Sequence, residues 1–136
     1  MIKKILITGL PGSGKSTLLE KLILEIKEKI GFLTKEIRKD GNRTGFEIIT
    51  NNGKKRMLAS VDFNTEYRVS KYCVGIEGFE EILDEFFNYE DQLLYIDEIG
   101  QMELFSEKFK ELVLDYLNSN NIFIATISKV YEDEFT

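Results

Sequence analysis

The chain has 136 residues, 43% of them hydrophobic and 31% charged, enough for one domain with a real core and too few for two. Its formal net charge of −6 argues against a broad face for a phosphate backbone, so nucleic acid is not expected as a partner. With no histidine and a single cysteine, Cys73, composition excludes thiol–imidazole catalysis, His-ligated metal sites and an internal disulfide, and points to a reducing, cytoplasmic setting.

The basic start is followed by an apolar run of only Ile5 to Ile7, too short for a signal or membrane segment. Lys3 to Thr8, β-branched and closed by Gly9, predicts a first buried strand. After a glycine-rich turn, Leu18, Leu19, Leu22, Ile23 and Ile26 recur at helical spacing, with Glu20, Lys21, Glu25 and Lys27 between them. "GFLTKEIRKDGNRTGFEIIT" then reads as a β-hairpin about the Asp40-Gly41 turn, and "KKRMLAS" adds a possible further strand. A polar stretch, Asp62 to Arg68, leads through "VSKYCV" to a second helix carrying Phe79, Ile82, Leu83, Phe86 and Phe87. Leu93 to Ile96 form a strand, Phe109, Leu112, Val113, Tyr116 and Leu117 a third helix, and Ile122 to Ile127 a last buried strand. Helices alternating with apolar strands call for an α/β parallel sheet with right-handed crossovers. The phenylalanines on the helices, with Phe105, read as core.

Gly9-Leu10-Pro11-Gly12-Ser13-Gly14-Lys15-Ser16 fits G-x-x-x-x-G-K-[ST] between a predicted strand and a predicted helix. At this chain's own residue frequencies the pattern arises by chance in about one such sequence per hundred. Glycines let backbone N–H groups converge on phosphate oxygens, and the helix that follows aims its positive end at the same anion. Lys15 would reach the β- and γ-phosphates, Ser16 would ligate Mg²⁺, and Thr17 would support the α-phosphate.

Ligand groups in such a sheet sit at the carboxyl ends of neighbouring parallel strands. Asp97 and Glu98 close the strand in "YIDEIG". Asp97 is placed to hold Mg²⁺ opposite Ser16, and Glu98 to polarise the water that attacks the γ-phosphorus. Asp97 to Gly100 also fits D-x-x-G of switch GTPases, but the N-K-x-D guanine motif that reading needs is missing from the sequence. Thr126, ending the last strand, is a candidate to orient the attacking water.

The loop, "GFLTKEIRKDGNRTGFEIIT", "RVSKY" and "IDEIGQMELFSEKF" occur in this order over nearly the whole chain. Together they resemble the thermophile-type, or cancer-related, nucleoside-triphosphatases of the P-loop class. That resemblance implies a three-layer α/β P-loop NTPase fold with a mainly parallel, RecA-like central sheet and an inserted β-hairpin. It implies Mg²⁺-dependent hydrolysis of several nucleoside 5′-triphosphates to diphosphate and phosphate. It puts phosphate binding on Gly9 to Ser16, and a second nucleotide-contacting segment on Leu94, Tyr95, Ile96, Asp97, Glu98, Ile99, Gly100 and Gln101. Two departures stand out. The family has glycine where this chain has Ser70, and its members continue past "IFIATIS" with a further strand and helix where this chain reaches Thr136. The expectation is one domain over 1–136 without that C-terminal part.

A positive charge near the γ-phosphoryl group would assist hydrolysis, and the resemblance favours Arg38, Arg43 and Arg68 over Arg56. Two other readings share the loop: a nucleotide or polynucleotide kinase, and a nucleotide-binding regulatory module with little turnover.

Overall fold

The computed structural model describes residues 3–10 and 12–128. β1 (Lys4–Gly9) runs into the glycine-rich loop and α1 (Lys15–Ile23). α1 stops short of Ile26 because Lys29, opening the next strand, donates its ammonium to the Ile23 carbonyl at 3.0 Å, and the chain turns there. Ile26 still packs beneath the sheet. β2 (Lys29–Lys39) and β3 (Asn42–Thr50) form the expected hairpin, with Asp40 (φ 52°) and Gly41 (φ 80°) at its turn. β4 (Lys55–Ser60), β5 (Arg68–Val69) and β6 (Tyr72–Val74) follow, then α2 (Ile76–Leu83) extended by a 3-10 turn over Asp84–Phe87. β7 (Leu93–Ile99), a 3-10 turn over Glu103–Phe105, α3 (Glu107–Asn118) and β8 (Phe123–Ser128) complete the described chain.

All eight strands join one sheet in the order β1-β8-β7-β2-β3-β4-β6-β5. The expectation of a mainly parallel sheet needs correction. The pairings β1 with β8, β8 with β7 and β7 with β2 are parallel, and the four from β2 to β5 are antiparallel. The physical reason lies in β2, which is long enough to use its two halves differently. Lys29–Leu33 pair with Leu93–Asp97 in parallel, while Phe32–Lys39 pair antiparallel with β3. The hairpin is therefore continuous with the sheet.

Alternation along β7 divides the core. Leu94 and Ile96 face α2 and α3 with the larger apolar cluster, and Leu93 and Tyr95 face Leu19 and Ile23 of α1. Phe32 is fully buried at the centre of the larger cluster, its ring 5.1 Å from Phe86, 6.2 Å from Phe79 and 6.3 Å from Phe109. Phe87 and Phe105 are half-buried against the same cluster. No helix among the described residues is long and apolar enough to cross a membrane.

The turn between β5 and β6 puts Ser70 at φ 56°, a left-handed conformation that a side chain disfavours. Ser70→Gly is expected to raise unfolding stability by about 0.5–1 kcal/mol. Urea denaturation measures it, and a less stable variant would contradict the turn geometry.

Candidate functional site

The glycine-rich loop takes the form its sequence requires. Gly12 (φ 81°) and Gly14 (φ 90°) both adopt left-handed backbone that L side chains resist. Gly14 caps α1 without a side-chain hydrogen bond, and no acid occupies that helix's first turn. By contrast α3 is capped by Ser106, whose Oγ accepts from the Phe109 N–H at 3.0 Å. The start of α1 thus keeps its amide dipoles for a ligand, and an anion is what they attract. Pro11 lies outside the described residues. Leu10 is exposed, and Thr17 sits on the outer surface of α1's first turn.

Asp97 stands at the meeting point of β7, β8 and α1. It is 0% exposed, and its Oδ1 accepts from Ser16 Oγ at 2.8 Å and from Thr126 Oγ1 at 2.6 Å. Among the described residues its Oδ2 is buried without a partner. A buried carboxylate oxygen left unpaired is costly, and a cation beside it removes the cost. Among the described residues no three Cys, Asp or Glu side chains cluster as a closed metal cage. One carboxylate and one hydroxyl, with the rest of the shell left to water and phosphate, suits Mg²⁺. Thr126, expected to orient water, instead spends its hydroxyl on Asp97.

Strict strand alternation would send Glu98 to the opposite face from Asp97. The β7–β8 register prevents this, since Asp97 faces Thr126 and Ile99 faces Ile127, leaving Glu98 as the extra residue of a β-bulge. The bulge turns Glu98 into the cleft, where its Oε1 lies 3.8 Å from Lys15 Nζ, with 36% of its side chain exposed and 10% of the lysine's. Burial, above all, lifts the Glu98 carboxyl above its ordinary value; Lys15 opposes the shift and Asp97 adds to it.

The cleft has a volume of about 490 Å³. The glycine-rich loop, the chain after β7 and the inner side of the hairpin bound it. Of the eight residues in the second segment, Glu98, Gly100 and Gln101 line the cleft, while Leu94, Tyr95, Ile96 and Ile99 are buried in the core. Within that expected segment the side chains of these four residues pack in the core, as alternation on a strand covered on both faces requires. The arginines also separate. Arg43 lines the cleft, its Nε 3.6 Å from Glu36. Arg38 is held at the hairpin tip by Glu36 and the Gly41 carbonyl, and Arg68 donates to the Ser70 carbonyl outside the cleft.

Sequence reasoning missed two buried polar groups of the cleft. The Thr34 hydroxyl, on the hairpin wall, is buried without a partner among the described residues. Glu103, 3% exposed, accepts the Gly100 N–H at 3.1 Å on its Oε2. G-x-x-E across 100–103 is the reach-back half of a capping box, the one sequence signal for it.

The chain matches the family model described as NTPase over residues 4–136. It is 48% identical to nucleoside-triphosphatase THEP1 of Thermotoga sp. (strain RQ2), over 93% of this chain and 74% of that protein. The crystal structure of THEP1 from Aquifex aeolicus superposes with a TM-score of 0.80 at 41% identity, covering 93% of this chain and 77% of that one. The solution structure of a human cancer-related nucleoside triphosphatase gives a TM-score of 0.80 at 33% identity, covering 93% and 76%.

Burial first, and then the neighbouring Glu98, hold the Glu103 carboxyl well above the usual carboxylate range. Such a group holds its proton to higher pH in the folded protein than in the unfolded chain, which loses it near pH 4.3, at about the ordinary glutamate value. The folded state then binds more protons, so this group's contribution to stability falls as pH rises through that window. Glu103→Gln is therefore expected to gain on the wild type in unfolding free energy between about pH 4 and pH 7. Urea titrations across that range check it; a constant or shrinking gap would contradict the buried acid.

Proposed function

The chain belongs to the NTPase family, and from that premise we propose that it is an enzyme hydrolysing nucleoside 5′-triphosphates to diphosphate and phosphate with Mg²⁺, as one cytoplasmic P-loop domain of RecA-like type. The observation that carries the metal and phosphate assignment is the Asp97 carboxylate, one oxygen held by Ser16 and Thr126 and the other buried and unpaired.

Each residue has a chemical task. The backbone of Gly9 to Ser16 cradles the phosphates, and the uncapped start of α1 favours their charge. Ser16 and Asp97 would hold Mg²⁺, which when bound neutralises charge on the terminal phosphates. Lys15, resting against Glu98, is within reach of an arriving γ-phosphate, and that exchange would release the carboxylate. Glu98, its carboxyl lifted by burial above its ordinary value and set beside Lys15 in the cleft, is placed to take a proton from the attacking water. Arg43 is the arginine on the cleft wall and the one assigned to the developing charge. Arg38 is already engaged by Glu36 and Gly41. The lack of a guanine-reading motif in the sequence supports hydrolysis of several bases, and the relatives' names do not favour the kinase or low-turnover readings.

Phosphate release from ATP, GTP, CTP and UTP without any acceptor tests the reaction. Glu98→Gln should keep nucleotide binding while single-turnover hydrolysis drops by about 10²-fold or more. Hydrolysis at the wild-type rate in that variant would remove Glu98 from the mechanism.

A further inference from the structure

Glu103 is buried, acidic and in the wall of the cleft, yet nothing in the hydrolytic scheme uses it. Among the described residues no cation pairs with it, and Lys15 pairs with Glu98. Its Oε2 instead binds the Gly100 N–H at 3.1 Å, and the Leu104 N–H closes the same turn on the Gly100 carbonyl at 3.0 Å. The Glu98 side chain lies beside the same glycine. A Cβ built on Gly100 would lie 3.2 Å from Glu103 Oε2, 3.2 Å from Glu98 Cγ and 3.4 Å from Glu98 Cδ. The two acidic side chains therefore crowd the same side of one glycine, a clasp that a methyl group there would enter only if they gave by a few tenths of an ångström.

This contact matters because the strand itself does not hold Glu98. The β-bulge leaves that residue outside the register of β8, so its direction depends on the turn that follows. On the far side the turn is anchored by Phe105, whose ring lies 5.2 Å from Tyr67, and by Ser106, which donates to Glu80 at 2.6 Å.

We propose that Glu103 is a positioning residue for nucleotide hydrolysis: by fixing the Gly100 amide it sets the turn against which the Glu98 side chain is aimed at the attacking water. The inference rests on Glu98 as the water-activating group. It makes Glu103 act through another residue, with no contact of its own to the nucleotide. Its burial, which disfavours the charged form, fits a group that works as a hydrogen-bond acceptor and not as an anion.

The test is a double-mutant cycle with single-turnover hydrolysis of Mg²⁺–ATP and nucleotide affinity measured on every variant. Glu103→Ala should lower the hydrolysis rate by about 10–100-fold with affinity kept, the size expected of a misplaced catalytic group. Glu103→Gln, which retains an acceptor for the Gly100 amide, should recover most of the rate. Combined with Glu98→Gln, Glu103→Ala should add no further loss, because the residue it aims is already disabled. If Glu103→Ala unfolds the protein, Gly100→Ala tests the same clasp and should also slow hydrolysis only when Glu98 is present. Full additivity, or a wild-type rate in Glu103→Ala beside a slow Glu98→Gln, would overturn the inference alone. A wild-type rate in Glu98→Gln would overturn the reading of Glu98 and this inference with it.

Discussion

Asp97 Oδ1 receives hydroxyl protons from α1 and from β8 while its own backbone lies in β7. That one buried oxygen ties the phosphate loop's helix to the centre of the parallel half of the sheet. Burying a carboxylate is unfavourable unless its oxygens are satisfied, and two short hydrogen bonds satisfy one of them. The other has no partner among the described residues. The same constraint explains why Ser16 and Thr126 are hydroxyl residues at these places: each must donate to an acceptor it cannot avoid. Stability and function therefore compete at this point, as they do wherever a polar group is held ready for a partner that arrives later.

The remainder of the site depends on departures from regular sheet geometry. The bulge at Glu98 turns that acid into the cleft next to the buried Asp97, although strand alternation separates the two. A second irregularity, between Ile37 and Arg38, sets Arg38 opposite Arg43 at the end of the hairpin, with Glu36 between the two guanidiniums. Of these, Arg43 reaches the cleft. β2 carries both halves of the sheet, so the hairpin wall is fixed to the strand that neighbours Asp97 and has no independent hinge in the pairing.

What was legible in the sequence is what depends on local pattern. The phosphate loop has its own spacing, the helices their apolar period, and the Asp40-Gly41 turn its backbone demand. Asp97 was legible as an acid at the end of a buried strand. The aim of Glu98 was not, because a bulge is a property of pairing with β8 and leaves no mark in "YIDEIG". Parallel and antiparallel halves look alike along "GFLTKEIRK", so the mixed sheet was hidden until β2 had partners on both edges. Glu103 looked like part of a connecting turn, since its burial comes from elements distant in sequence.

The central claim is that Asp97 presents its free oxygen to a magnesium ion that accompanies the nucleotide. Calorimetric titration of ATP into the wild type and Asp97→Asn, each with and without Mg²⁺, tests it directly. The account predicts that metal-free binding persists in the variant while the gain in affinity conferred by Mg²⁺ falls by about tenfold or more. An equal Mg²⁺ gain in both proteins would contradict it.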